Sequence, residues 1–230
     1  MLWYIIFGMK DYEILKIKCP ECGQEIEFKT YSSINSKNDA ELKEQLLSGA
    51  LFRYECPHCG AKGYLGFPFL YHDPVNHVLI QYTSPDKADE MLRTFVNNIN
   101  KAREILGNEF EKYRYRVVDE FGLLCEKIDC IDKGLDDRIL EITKILVGLI
   151  LERSGQINDE EKLYLYSAGD HLRADIINQN KKTMRQIKIN KEVYEAAKRD
   201  YLSKIDDEKT KIGIINESWA ATLLNNAHKN

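Results

Sequence analysis

The sequence contains 230 residues, of which 43% are hydrophobic and 30% are charged. This composition is that of a soluble globular protein, and it excludes the disordered and membrane-embedded classes. The formal net charge of −4, with both signs interleaved along the chain, argues against non-specific binding to nucleic acid.

The apolar N-terminal run Leu2–Phe7 is not predicted to be a signal peptide. It lacks a basic leading segment and a small-residue cleavage site, and it is shorter than the hydrophobic region of a signal peptide. No stretch of the sequence reads as a membrane span. We therefore predict a cytoplasmic protein, with Met9 as an alternative start of translation.

Two five-residue cassettes, Cys19–Gly23 and Cys56–Gly60, both read Cys-Pro-x-Cys-Gly. Each puts two thiols on one tight turn, and the trailing glycine can take the positive φ that a Cβ resists. In a reducing compartment such a pair of turns predicts a zinc site. Two disulfides, which need an oxidising compartment, and four ordinary buried cysteines are the alternatives. The predicted ligands are Cys19, Cys22, Cys56 and Cys59.

Zinc held by four thiolates has no open coordination position, whereas catalytic zinc keeps one. The predicted cofactor is therefore structural Zn²⁺. His58 and His72 are the nearest residues that could replace a thiolate, but nothing in the sequence requires this exchange. Cys125 and Cys130 are five residues apart and point in different directions on a helix or a strand, so we predict that both lie in the core.

Around the first cassette, residues 13–31 predict a zinc-ribbon hairpin. A short helix is predicted at Asp39–Leu47, with Asn38 or Ser36 as its cap and Gly49 just past its end. Thirty-three residues, 23–55, lie between Cys22 and Cys56, so we expect two hairpins to close the metal site around this inserted helix.

Two strands are predicted after the second cassette, Gly63–Tyr71 and Val78–Tyr82. The turn between them contains His72 and His77. These histidines form either a second metal site or proton-transfer pair, or an Asp-Pro turn with solvated imidazoles, and the turn chemistry favours the latter. The segment Ser84–Phe110 then predicts one amphipathic helix that links two domains.

The second half is predicted to begin with the strand Tyr113–Val118, followed by a helix that ends at Gly134 and a core helix to Arg153. Three strands at 162–166, 172–177 and 185–189, a helix at 192–205 and a last strand at 212–215 complete it. The predicted fold class is α+β. A zinc-ribbon-like domain with an inserted helix covers 12–110, and a smaller α+β domain with an antiparallel sheet covers 111–230.

The densest charged cluster contains Glu126 and Lys127 together with Asp136, Asp137, Arg138 and Glu141 at the start of the core helix. In an enzyme these residues would provide carboxylates for acid–base or metal chemistry and an arginine for an anionic substrate. Alternatively, the acids cap the helix and complement its dipole, while Arg138 pairs with Glu141. Capping explains the placement of both acids and is favoured.

The two cassettes, together with Phe69–Pro74 and the run Gly134–Arg138, resemble the CpXC family, which is named for its paired Cys-Pro-x-Cys motifs. The resemblance covers roughly residues 12–130, and the run that ends at Arg138 is similar to a tail that often accompanies the domain. It implies a zinc-binding fold and no particular activity.

Since no phosphate loop, dinucleotide fingerprint or nucleophile elbow occurs, the favoured function is a non-catalytic interaction or regulatory module with a protein partner. An enzyme with an interdomain or C-terminal acidic and arginine pocket is the alternative. Binding of nucleic acid by the zinc ribbon is the third candidate function, and it is disfavoured. It would use Lys16, Lys18, Lys29, Arg53 and Lys62, among which lie Glu13, Glu25, Glu27 and Glu55.

Overall fold

The computed structural model describes residues 12–227 and has a mixed α+β fold, which confirms the predicted class. The described chain divides into two compact units, the first ending at Glu120 and the second beginning at Phe121. The predicted role of Leu2–Phe7 lies outside the described residues.

Two antiparallel hairpins carry the cassettes of the N-terminal unit. Strands β1 (Tyr12–Lys18) and β2 (Glu25–Tyr31) form the first hairpin, as predicted. Strands β4 (Arg53–Glu55) and β5 (Lys62–Tyr64) form the second. Each cassette is therefore the turn of its own hairpin.

Helix α1 (Ala40–Leu47) lies between the hairpins in sequence, close to its predicted bounds. It buries Leu42 and Leu46, and Gly49 just past its end has φ 72°, as expected of a left-handed residue after a helix. The predicted cap at Asn38 or Ser36 is wrong, because Asp39 occupies the N-cap position. Asp39 places its carboxylate on the N–H of Asn35 instead of on the helix.

The N-terminal unit also contains a mixed sheet, whose strands are β3 (Ser33–Asn35), β6 (Phe69–Asp73), β7 (Val78–Tyr82) and β8 (Arg114–Val118). These strands are adjacent in the order β8, β7, β6 and β3. Its β6–β7 pair is antiparallel, whereas β3–β6 and β7–β8 are parallel.

The predicted strand Gly63–Tyr71 is two strands in two different sheets, β5 and β6. The chain leaves the second hairpin before Pro68, a residue that cannot donate to a strand ladder, and re-enters a sheet at Phe69. Strand β8, placed at the start of the second domain by the sequence, pairs with β7 of the N-terminal unit.

The single helix predicted at Ser84–Phe110 is divided into α2 (Ala88–Asn97) and α3 (Ile99–Leu106). The break lies at Asn98, which leaves helical geometry with φ −104° and ψ 16°. Its side chain donates to the carbonyl of Thr94 at 2.8 Å, so it competes with the helical pattern of backbone bonds.

The C-terminal unit packs helices against an antiparallel meander. Helix α4 (Phe121–Asp132) and the long helix α5 (Asp137–Arg153) come first, close to prediction. The meander is also confirmed, with β10 (His171–Asn178) between β9 (Glu161–Ala168) and β11 (Thr183–Asn190). Side chains of α5 and of the meander share one apolar core.

The remainder of this unit comprises α6 (Glu192–Tyr201), the short α7 (Asp207–Thr210), the two-residue strand β12 (Ile212–Gly213) and α8 (Glu217–Ala227). Helix α8 is absent from the sequence prediction, which had a four-residue strand followed by a tail. The side chain of Asn216 accepts the N–H of Trp219 at 3.0 Å, as an N-cap residue does, and Ala220 and Leu224 then lie four apart in the core.

Across residues 12–227, the structure contains no helix with both the length and the apolar character needed to cross a bilayer.

Candidate metal centre

The first knuckle is closed by backbone hydrogen bonds between its own residues. The N–H of Cys19 donates to the carbonyl of Gln24 at 2.9 Å, and the N–H of Gly23 donates back to the carbonyl of Cys19 at 2.9 Å. Gly23 has φ 70°, the left-handed conformation expected from the sequence. This turn brings Cys19 and Cys22 to the same end of the β1–β2 hairpin.

The second knuckle repeats this arrangement. The N–H of Cys56 donates to the carbonyl of Ala61, and that of Gly60 donates to the carbonyl of Cys56, both at 2.8 Å. Gly60 has φ 73°. Two short sequences of the same type therefore form the same local structure, and each presents one pair of thiols.

The four sulfur atoms meet in one cluster. Cys19 Sγ lies 3.7 Å from Cys59 Sγ, and Cys22 Sγ lies 3.7 Å from Cys56 Sγ. All four lie within 4.8 Å of one another. A tetrahedral ion with metal–sulfur bonds of about 2.3 Å needs sulfur atoms about 3.8 Å apart, so this donor set fits a zinc-sized tetrahedral site.

The four cysteines of the cluster differ in their exposure to solvent. Cys19 and Cys56 are buried, together with Ile26, and Tyr54 packs against them. Cys22 and Cys59 lie at the surface. Among residues 12–227 this is the one group of three or more histidines, cysteines or acids close enough to hold a metal ion.

The thiols strongly influence one another's ionisation. Burial opposes ionisation of Cys56, but the N–H groups of His58 and Cys59 bond its sulfur and lower its pKa to about 6. For Cys59, the N–H of Ala61 favours the thiolate, but burial and the three neighbouring thiols raise its pKa to about 12. Four thiolates this close cannot coexist near neutral pH unless a cation compensates their charge.

The family model described as CpXC protein matches residues 17–144, which is more than half of the chain. The chain belongs to the CpXC family. The matched region contains both cassettes and extends into α5, so it includes the tail that ends at Arg138. No curated protein and no solved structure matches the chain.

Two further cysteines of this CpXC protein lie in the C-terminal unit. Cys125 and Cys130 are both buried on α4, as predicted for core residues. Burial raises the pKa of Cys125 to about 12 and that of Cys130 well above its ordinary value, so both thiols stay neutral.

The predicted charged cluster at the start of α5 separates into two sets of contacts. Asp136 is the N-cap and accepts the N–H of Arg138 at 2.9 Å. Its carboxylate also binds the Arg138 guanidinium through two bonds of 3.0 and 2.7 Å. The other side of that guanidinium donates to Asp207 at 2.6 Å and to Thr210 at 2.8 Å. The interpretation of Asp136 as a cap is therefore confirmed.

The predicted pair of Arg138 with Glu141 is wrong, because Glu141 points into a buried network with two lysines. Lys127 Nζ lies 3.4 Å from Asp137 and 3.3 Å from Glu141, and it donates to the carbonyl of Ile215 at 2.9 Å. Lys144 Nζ lies 2.9 Å from Glu141 and 2.6 Å from Glu126. The five charged side chains of the network are Glu126, Lys127, Asp137, Glu141 and Lys144, and all are buried.

Three carboxylates in this network share two ammonium groups. Burial, with Glu141 nearby, raises the pKa of Glu126. Burial also opposes the charge on Lys144, but Glu126 and Glu141 hold its pKa above the ordinary value. Glu126 in addition accepts the N–H of Leu165 on β9 at 2.6 Å, so the network ties two helices to the sheet.

From the sequence, Lys127 was assigned to the charged cluster without a partner, and Lys144 was not assigned to it. A signal was present, because Asp137, Glu141 and Lys144 follow the i, i+4, i+7 spacing of the buried face of α5. Charged residues on an apolar stripe indicate a buried ion pair, provided that a partner of opposite charge occurs on a neighbouring element.

The two histidines of the β6–β7 segment have different environments. His72 is 3% exposed, and its Nε2 lies 2.8 Å from the hydroxyl of Tyr113. The expected solvated imidazole is therefore wrong for His72. His77 lies at the turn, half-buried, 3.3 Å from Glu109. The turn itself is organised by Asp73, which accepts the N–H groups of Val75 and Asn76.

Proposed function

We propose that this CpXC protein is a zinc-stabilised interaction or regulatory module without catalytic activity, located in the cytoplasm. The observation that supports it best is the closed donor set: four thiols at tetrahedral spacing provide every ligand of the ion. Soft thiolate ligands select zinc over magnesium or calcium, and a four-thiolate zinc has no position for water or substrate.

In this proposal Cys19 and Cys22 hold the ion from the first hairpin, and Cys56 and Cys59 hold it from the second. The zinc supplies a cross-link between hairpins that are separated by residues 32–52. Its binding free energy becomes folding free energy of the N-terminal unit, since two short hairpins that do not pair with each other are only marginally stable by themselves.

The metal assignment is tested by measuring zinc per chain in protein purified anaerobically. We expect one zinc per chain in the wild type and a large loss in Cys56→Ser, because three thiolates and a hydroxyl bind zinc much more weakly. Cys125→Ser is the matched control, since Cys125 is a buried thiol of the C-terminal unit. Zinc-free wild type, or full retention in Cys56→Ser, would contradict the assignment.

The alternative of an enzyme at the Asp136–Glu141 cluster has less support. Arg138 is engaged by Asp136 and Asp207, and Asp137 is buried beside Lys127, so these groups have partners within the chain. We expect no rise in melting temperature with magnesium, manganese or a panel of nucleotides. A ligand-dependent stabilisation that disappears in Asp136→Asn/Asp137→Asn would establish the enzyme instead.

Nucleic-acid binding through the hairpins also has less support than a protein partner. Lys16 pairs with Glu25 and Lys62 pairs with Glu55, each at 3.1 Å. Basic residues that are interleaved with paired acids do not form the continuous positive surface that phosphate backbones require.

A further inference from the structure

A groove of about 350 Å³ runs between the two hairpins of the N-terminal unit. Residues of β2 and β4 line the groove, and Gln45 of α1, Ala50 and Leu51 complete its lining. Its side walls contain Glu27, Lys29, Tyr31, Arg53, Tyr54 and Glu55. The surface that lines the groove is mostly polar.

The backbone groups of β2 that line the groove point away from β1. Cys19 donates to Gln24, which fixes the alternation of the β1–β2 ladder. Strand residues alternate between facing their partner and facing away, so Ile26 and Phe28 bond β1, whereas Glu27 and Lys29 direct their N–H and C=O groups to the opposite edge.

Strand β4 presents its free edge in the same way. Cys56 donates to Ala61, and the carbonyl of Phe52 accepts the N–H of Leu65 at 2.8 Å. The alternate residues Arg53 and Glu55 therefore direct their backbone groups away from β5. The groove thus lies between two strand edges whose hydrogen-bonding groups are available to an added strand.

The side chains of the groove separate its charges by position. Strand β2 leaves the metal knuckle and β4 enters it, so Glu27 and Glu55 lie nearer to the cysteines than Lys29 and Arg53 do. The end near the metal consequently carries two carboxylates, and the far end carries two cations. Three of these charges have surface contacts within their own hairpin, which a bound peptide would replace: Glu55 pairs with Lys62 at 3.1 Å, and Lys29 and Arg53 lie 3.9 and 5.8 Å from the rings of Tyr12 and Tyr64. Tyr31 and Tyr54 add aromatic surface.

We propose that this groove binds an extended peptide segment of a partner protein, with an acidic side chain near Lys29 and Arg53 and a basic side chain near Glu27 and Glu55. The two charges of the peptide are two residues apart, because Glu27 and Lys29 have that spacing on one strand face. Backbone bonds to a strand edge supply affinity, and the charge order supplies specificity. The inference rests on the proposed function and names the partner class of that module.

The test is a titration of the zinc-loaded full chain with the capped peptide Thr-Asp-Val-Lys-Thr, followed by amide chemical shifts. We expect shifts concentrated at Glu27, Lys29, Arg53 and Glu55. The neutral peptide Thr-Asn-Val-Gln-Thr and an N-methylated form of the charged peptide should bind at least about tenfold more weakly, because they lack the charges or the backbone donors.

Matched charge reversals identify the surface. Lys29→Glu/Arg53→Glu should weaken the charged peptide about tenfold or more, whereas Lys18→Glu/Lys37→Glu, with the same change in net charge at exposed positions outside the groove, should not. If the zinc-loaded wild type shows no amide shifts, or shows equal shifts with the neutral peptide, the peptide-binding inference is wrong and the proposed zinc module stands. If the purified wild type contains no zinc, the proposed module itself is wrong. Binding of a uridine pentanucleotide at the same four amides would assign the groove to nucleic acid and also overturn the inference.

Discussion

The protonation of His72 is controlled by its burial. Burial lowers its pKa from 6.5 to about 4, even though the nearby Asp73 carboxylate favours the charged form. The folded protein therefore contains a neutral imidazole at a pH at which the unfolded chain already binds a proton. The unfolded state gains protons first as the pH falls, so acid destabilises the fold between about pH 6.5 and about pH 4.

We predict that His72→Gln removes this contribution, which amounts to at most roughly 3 kcal/mol over the whole window. The measurement is the free energy of unfolding of wild type and His72→Gln as a function of pH. Loss of metal in acid is common to both proteins, so their difference isolates the histidine. An imidazole of His72 that titrates near its ordinary pKa by NMR would contradict the prediction.

Lys144 stabilises two buried carboxylates at once, Glu126 at 2.6 Å and Glu141 at 2.9 Å. We predict that Lys144→Met destabilises the protein by about 3–5 kcal/mol, because removing one member of a buried network leaves uncompensated charge. Denaturant unfolding measures the loss, and adding Glu126→Gln should recover part of it. The control is Lys133→Met at an exposed site of the same unit, and an equally large loss there would refute the network's role.

For single residues, the sequence spacing was sufficient to predict the turn conformation of the cysteines and their glycines, because each knuckle is closed by hydrogen bonds within five or six residues. The environment of His72 was not predictable in the same way. Its burial depends on Tyr113, forty-one positions further along the chain, and the partners of Glu141 depend on how α4 packs on α5.

Glycines at two helix positions show how packing against β9 constrains the elements of the C-terminal unit. A Cβ on Gly122 in α4 would lie 2.5 Å from the ring of the buried Tyr164, whereas one on Gly148 in α5 would have Leu163 as its nearest neighbour, at 4.0 Å. The first glycine is needed for a close approach. The second has no comparable steric reason.

We predict that Gly122→Ala destabilises the protein by about 1–3 kcal/mol through overpacking. Gly148→Ala should instead stabilise it by up to about 1 kcal/mol, since alanine is the better helix former. Thermal and urea unfolding of the two variants provide the comparison. A neutral Gly122→Ala would show that Tyr164 moves aside without cost.

Elements in which hydrophobic residues recur at a regular spacing were predictable from sequence, as α5 and the β9–β11 meander show. Interruptions within such a regular pattern were not predictable. Asn98 interrupts the helix predicted at 84–110 because its side chain bonds the backbone, and α8 was missed although Asn216 provides a cap. The short strands β4 and β5 are defined mainly by their pairing, which the sequence does not display.

On the scale of the whole molecule, the α+β class followed from the alternation of helical and strand periods. The strand order β8, β7, β6, β3 did not, because it includes two parallel pairs between segments distant in sequence. Parallel partners are chosen by long-range packing and not by a local turn. The cysteine cluster belongs to the same level of organisation, since it brings together thiols from two hairpins that form separate sheets.

The most direct test of the structural role of the metal is hydrogen exchange of the full chain with and without a zinc chelator under reducing conditions. We predict that chelation removes protection from β1, β2, β4 and β5, including the amides of Cys19 and Cys56, while β9–β11 keep theirs. Unchanged protection in the hairpins, or an equal loss in both units, would contradict the account.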